Sequence, residues 1–209
     1  MDKPFAIFDM DGTLIDSMVY WQRLAGEFLA RKGVRDIPED ILERIKPMTM
    51  TESAALFIRE FSLPGTPASV AGEMNEMMGQ HYRADIPLKP GVEAYLKALR
   101  ARGTRLCVAS ATAEHLMEAC LTRLGVRVLF QFLLSCETVG AGKDRPDVYL
   151  EAARRLGASP AETGVYEDAL YAARTAKDAG FYVVGVYDPS AQGHWAELTA
   201  LADETIPAF

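Results

Sequence analysis

The chain contains no apolar run approaching the length needed to cross a bilayer, which excludes a membrane-spanning helix within it. It also lacks a basic excess. Its 22 lysines and arginines face 29 aspartates and glutamates, for a formal net charge of −7. That balance argues against non-specific binding to nucleic acid or to an anionic membrane. A small anionic ligand stays open, because a bound cation and a few placed lysines invert a local field. Cysteine is scarce: Cys107, Cys120 and Cys136 are odd in number and without metal-ligand spacing, and they read as buried free thiols in a reducing compartment. No signal-peptide pattern, internal repeat or low-complexity segment is evident. The expectation is a soluble, cytoplasmic protein.

What is present is a long enough chain with enough apolar content. At 209 residues, nearly half of them hydrophobic, it can hold one large domain, or a moderate domain carrying an insertion. The stretch Phe5-Ala6-Ile7-Phe8-Asp9-Met10-Asp11-Gly12-Thr13-Leu14 is its most distinctive feature. An apolar run of strand character, of the kind found in a parallel sheet covered on both faces, ends in two carboxylates one residue apart. If the strand continues to Asp11, period-two geometry puts Asp9 and Asp11 on one side, and such a pair invites a cation or a shared proton. Asp-Gly is also a common turn signal, so an acidic turn is the competing reading.

From Ser17 to Ala84 the chain reads as helices only. Met18 to Lys32 carries helical spacing with Asp16 or Ser17 as cap; a second helix runs through Ile41, Leu42 and Ile45 until Pro47 interrupts it. A third covers Ala54 to Phe61, and a Met-rich fourth covers Ala68 to Tyr82. From Pro87 onward strands and helices alternate. Strands are expected at Leu106–Ala109, Phe132–Leu134, Gly164–Tyr166, Tyr182–Val186 and, weakly, Thr205–Ile206. Helices are expected at Val92–Arg102, Ala113–Leu124, Pro146–Leu156, Leu170–Asp178 and Trp195–Leu201. This pattern predicts an α/β protein, a Rossmann-like, doubly wound parallel sheet with an inserted α-helical domain. The expected division is a core of 1–16 and 85–209 and an insertion of 17–84.

Three later strand ends add chemistry. Ser110, with Ala111 and Thr112, precedes a helix, where a hydroxyl and free backbone N–H groups make an anion site; Ser110 or Thr112 acting merely as a helix cap explains them equally well. Lys143 lies in the Gly140-Ala141-Gly142-Lys143 loop, where an exposed surface lysine is the commoner meaning. Glu167-Asp168 follow a strand and could simply serve the next helix N-terminus. Taken together, these residues gather with Asp9 and Asp11 at the carboxyl ends of parallel strands, one face of one sheet. Carboxylate oxygens there suit Mg²⁺, the lysine and serine suit phosphate, and one free aspartate can attack phosphorus.

Asp9-Met10-Asp11-Gly12-Thr13-Leu14 resembles the first motif of the haloacid dehalogenase superfamily in its phosphatase form. Ser110, Lys143 and Glu167-Asp168 resemble its second, third and fourth motifs in the expected order, and the helical insertion is similar to the small cap of the phosphoglycolate phosphatase and beta-phosphoglucomutase branch. The resemblance implies roles. Asp9 is the expected nucleophile and Asp11 the acid and base. Asp9, the Asp11 backbone carbonyl and Asp168 are expected at Mg²⁺, with Glu167 in direct or indirect contact. Ser110 with Ala111 is expected to bind phosphate, Thr13 to hydrogen-bond near it, and Lys143 to offset charge on Asp9 and the transferring group.

Two positions depart from the mutases of that branch. Where they carry a His in the first cap helix, a direct register gives Trp21, and where they carry a phosphate-gripping Arg it gives Met50, with Lys46 nearby. The expected activity is therefore Mg²⁺-dependent hydrolysis of a small phosphate monoester through an aspartyl-phosphate, with Trp21 and Lys46 as candidate substrate contacts. Met74, Met77 and Met78 read instead as helical core. A phosphomutase and a non-catalytic phosphate-binding protein are the alternatives. The expected partner is a small phosphorylated metabolite, bound by a monomer or weak homodimer, with no nucleic acid and no membrane.

Overall fold

The computed structural model describes residues 2–45, 48 and 50–209, with the backbone alone at 39, 42 and 43. The chain divides into two compact units, Met1–Met18 with Ile86–Phe209, and Val19–Asp85.

The first unit is built on six parallel strands: β1 (Phe5–Phe8), β2 (Arg105–Ser110), β3 (Leu133–Ser135), β4 (Thr163–Glu167), β5 (Tyr182–Val186) and β6 (Glu204–Ile206). Their order across the sheet is β3-β2-β1-β4-β5-β6. This is a Rossmann-like core, with β1 between β2 and β4. Its register sets Ile7 beside both Cys107 and Val165, and Phe8 beside Val108 and Tyr166. Residues of β1 are apolar in both directions because both faces are covered. On one face Ile7, Cys107, Ala109, Val165 and Val183 pack with Val148, Tyr149, Ala152 and Ala173. On the other, Phe8 stacks on Tyr166 at 4.0 Å between ring centres, and Tyr95 meets Tyr166 edge-on. The chain leaves β1 toward β2 on one side and, later, returns beside it as β4 on the other. Such a reversal opens a crevice outside the carboxyl ends of the two strands.

Helices of this unit follow the expected sites: α5 (Val92–Ala101), α6 (Glu114–Arg123), α8 (Asp147–Leu156), α9 (Leu170–Asp178) and α10 (Trp195–Leu201). Among its α-helices one was not foreseen, the single turn α7 (Cys136–Val139), which Ser135 opens by accepting the Glu137 N–H at 3.2 Å. Four residues carry no readable helical period.

The second unit contains α1 (Met18–Arg31, which begins one residue earlier), α2 (Glu39–Ile45), α3 (Met50–Phe61) and α4 (Pro67–Ala84). Its α4 starts one residue before the expected point, with Pro67 in the first turn and a reciprocal Thr66–Ser69 capping box ahead of it. Phe28, Phe57, Val70, Met74, Met78 and Tyr82 are buried, so the methionines are core, as their spacing indicates. Among the described residues, no helix is long and apolar enough to cross a membrane. The three cysteines are free and buried.

Candidate active site

Strand β1 stops at Phe8, and Asp9 continues its pairing for one more bond by donating its N–H to the Tyr166 carbonyl at 3.0 Å. The strand does not run on to Asp11. Instead the chain curls back: Leu14 and Ile15 donate to the Met10 carbonyl, and Gly12 donates to the Ile15 carbonyl. Gly12 is required twice over. Its φ is +80°, and a Cβ there would lie 2.4 Å from Asp168 Oδ2. The two aspartates therefore diverge in environment: Asp9 is buried and Asp11 half-buried.

Asp9, Glu167 and Asp168 come together, each offering a carboxylate oxygen, with the three atoms within 4.8 Å of one another. All three are buried. Register explains the meeting, since β1 and β4 are neighbours and Asp9 and Glu167 directly follow their last pair, Phe8 and Tyr166, with Asp168 next in the chain. Lys143 reaches the same place from the loop after α7 and is only 6% exposed, which removes the surface-lysine reading. Its ammonium donates to Asp9 Oδ1 and, at 2.5 Å, to Glu167 Oε1.

Electrostatics follow from this crowding. Burial pushes the Asp9 carboxyl well above the usual carboxylate range; Lys143 opposes that, while Glu167, Asp168 and Asp11 add to it. Burial, then repulsion from Glu167, pushes Asp168 up to about 7. For Lys143 burial works against the charged form, yet Asp9 and Glu167 outweigh it and hold the ammonium above its ordinary value. Three carboxylates share one buried ammonium, so full ionisation leaves an uncompensated charge of about −2. A divalent cation balances that charge, and an all-oxygen donor set suits a hard ion such as Mg²⁺. The residues present fit the metal.

The Asp11 side chain is not in this trio. Its Oδ1 accepts from Ser17 Oγ and its Oδ2 from Thr112 Oγ1, both at 2.7 Å. Ser110 is buried at the end of β2, and its Oγ accepts the Thr112 N–H at 3.1 Å. Helix α6 begins after Ala113 with no side-chain cap, so Ser110 and Thr112 are not serving it in that way. Ala111 is exposed between them. Thr13, expected near the phosphate, is fully buried and donates to Asp168 Oδ1 at 3.0 Å. In the second unit, Trp21 is half-buried and its Nε1 donates to Tyr82 OH at 3.2 Å. Lys46 lies outside the described residues.

Three contacts at the site were not foreseen. Ser17 and Thr112 read as helix caps in the sequence, and the hydroxyl-to-Asp11 bonds span 6 and 101 positions. Tyr149 lies in α8 and was not singled out in the sequence. It is fully buried, and its hydroxyl donates to Glu167 Oε1 at 2.7 Å. Burial and the neighbouring Glu167 hold the phenol well above its ordinary value, so it remains a donor. The available signal was its place six residues after Lys143, one helical approach from the same loop.

Known proteins resemble the chain over most of its length. The family model of haloacid dehalogenase-like hydrolases matches residues 5–180. Hexitol phosphatase B of Escherichia coli is 30% identical over 192 residues, covering 90% of this chain and 85% of that protein. A fructose-1-phosphate phosphatase of Escherichia coli is 28% identical, covering 86% and 94%. Among solved structures, CbbY from Rhodobacter sphaeroides in complex with phosphate superposes with a TM-score of 0.79 at 25% identity, covering 99% and 94%.

Proposed function

Because the chain belongs to the haloacid dehalogenase-like hydrolases, we propose that it is a Mg²⁺-dependent phosphatase of a small phosphorylated sugar or sugar alcohol. The observation that carries this reading is the buried Lys143 ammonium shared between Asp9 and Glu167, with Asp168 beside them. Support for the substrate class comes from the names of the hexitol and fructose-1-phosphate phosphatases that the chain resembles.

In this mechanism the Asp9 oxygen not taken by Lys143 attacks phosphorus in line with the departing alcohol. A bond forms between Asp9 and phosphorus, and the bond from phosphorus to the ester oxygen breaks. Asp11 delivers its proton to that oxygen. Water then attacks the aspartyl-phosphate, Asp11 takes the proton from water, and phosphate leaves with Asp9 restored. Lys143 offsets negative charge on Asp9 and on the transferring group, while Ser110 and the backbone at Ala111 bind phosphate oxygens. Asp9, Asp168 and the Asp11 backbone carbonyl, with Glu167 in direct or indirect contact, would hold Mg²⁺, which would supply charge neutralisation between carboxylate and phosphate. Thr13 keeps Asp168 turned toward the cluster. Residues 17–84, with Trp21 and Lys46, are assigned the choice among substrates. The enzyme works in a cytoplasmic, reducing setting on a free metabolite.

Phosphate release from a panel of hexitol phosphates, ketose phosphates and a chromogenic ester, with and without Mg²⁺, tests the reading. Release that needs Mg²⁺ and falls to background in Asp9→Asn is the expected outcome. Undiminished release by Asp9→Asn overturns the nucleophile, and isomerisation of a sugar phosphate without release overturns hydrolysis in favour of a mutase.

A further inference from the structure

Glu167 Oε1 has two donors. Lys143 reaches it at 2.5 Å from one side and the Tyr149 hydroxyl at 2.7 Å from the other. Tyr149 is itself fixed: it is fully buried in the core cluster, meets Phe181 edge-on at 6.2 Å, and lies with its ring 5.8 Å from the Lys143 nitrogen. One hydroxyl therefore closes a chain that runs Tyr149, Glu167, Lys143, Asp9.

We propose that Tyr149 is a positioning residue for the metal site, which orients Glu167 and divides Lys143 between Glu167 and Asp9. A carboxylate offers two oxygens, and the donors on Oε1 fix the plane of the group. That would leave Oε2 to serve the cation, directly or indirectly. With Tyr149 in place, Oε1 is satisfied by a neutral donor as well as by the ammonium, so Lys143 is not drawn wholly onto Glu167 and keeps its bond to Asp9. Remove the hydroxyl, and the buried Oε1 has only Lys143 to satisfy it. Glu167 then keeps one donor instead of two to set its plane, and Lys143 is drawn toward it and away from the attacking carboxylate. Groups that orient metal ligands in this way affect affinity although they touch neither metal nor substrate.

This inference rests on the proposed Mg²⁺ site, and the test separates the two. Mg²⁺ affinity is measured by calorimetric titration of the phosphate-free protein for wild type, Tyr149→Phe, Glu167→Gln and the double variant, together with kcat and KM for the best substrate of the panel. Tyr149→Phe should weaken Mg²⁺ binding about tenfold and lower kcat at saturating metal, with KM little changed. In the Glu167→Gln background the same change should alter affinity by less than about twofold, because the group it orients is gone. Phe181→Leu loosens the packing around the same ring without removing the hydroxyl and serves as the packing control; it should lower Tm and weaken Mg²⁺ binding far less than Tyr149→Phe does. Equal metal affinity in wild type and Tyr149→Phe overturns the inference alone, as does additivity in the double variant or an equal loss in Phe181→Leu. A wild-type protein that binds no Mg²⁺ overturns the metal reading, and this inference with it.

Discussion

Lys143 and Arg44 both bridge two carboxylates, and there the likeness ends. Lys143 sits in the first unit with its side chain 5% exposed, between Asp9 and Glu167. Arg44 sits in the second with its side chain 40% exposed, 3.5 Å from Asp40 and 3.1 Å from Glu60. The carboxyls they serve move in opposite directions. Hydrogen bonds from Arg44, then Arg59, hold Glu60 below its ordinary value, whereas Asp9 is pushed well above its own despite Lys143. In water a pair settles both partners at little cost; in the interior desolvation outweighs the attraction. A fold does not collect Asp9, Glu167, Asp168 and Lys143 for stability. Their burial makes sense as a site held ready for a cation and a phosphate.

The largest difference between the two regions should appear on removing the cations. Lys143→Met leaves three buried carboxylates without their ammonium. Phosphate release should fall to background, and stability at neutral pH should drop by about 3–5 kcal/mol, as when one partner of a buried pair is lost. Chemical denaturation read beside the activity assay checks both. A Lys143→Met protein as stable as wild type would mean that the carboxylates discharge each other by protonation, and that the ammonium matters for chemistry alone.

The same contrast explains how much of the molecule was legible in its sequence. Asp9, Lys143, Glu167 and Asp168 could be placed because each follows a strand or a glycine-rich loop, and parallel strands bring their carboxyl ends together. Helices α9 and α10 and strand β5 matched to the residue, since Gly180 and the apolar runs punctuate them sharply. Tyr149 could not be placed. It is buried in the core, and nothing local in the sequence shows that its hydroxyl meets a carboxylate 18 positions away. Thr112 and Ser17 failed for a related reason: a hydroxyl before a helix has an ordinary local use, and its longer-range bond to Asp11 depends on the loop folding back at Gly12. In the second unit the helices were legible but the roles were not. Trp21 offers its indole N–H to Tyr82, a partner 61 positions on that periodicity does not name.

A second test uses acidity. In the metal-free protein Asp168 is raised to about 7 from an ordinary value of 3.8. The folded state thus binds more protons than the unfolded state between those values, and stability falls as pH rises from the lower to the higher. Mg²⁺ binds the ionised form and opposes this fall, so its stabilising effect should be larger above neutrality than in acid. Melting temperatures across that range, with and without Mg²⁺, should diverge as pH rises. Asp168→Asn should make the metal-free curve shallower, with Asp9 supplying the remaining slope, and should abolish the divergence. Glu60 predicts the reverse sign on its own account: its lowered carboxyl contributes stability that is present above its ordinary value and lost as pH falls.

That contribution is small, and Arg44→Ala measures how small. Arg44 and Glu60 are both solvated, and each has another partner: Asp40 for Arg44, and Arg59 for Glu60 at 3.2 Å. Removing Arg44 therefore strands no charge in the interior, and water takes over what the guanidinium did for Glu60. The Tm of Arg44→Ala should stay close to that of wild type, with any residual difference vanishing in high salt, where exposed pairs are screened. Mg²⁺ affinity should not change, because every residue assigned to the metal belongs to the other unit. A marked loss of stability that survives high salt would show that Arg44 acts through its packed aliphatic stem, and would move part of the contrast with Lys143 from charge to burial.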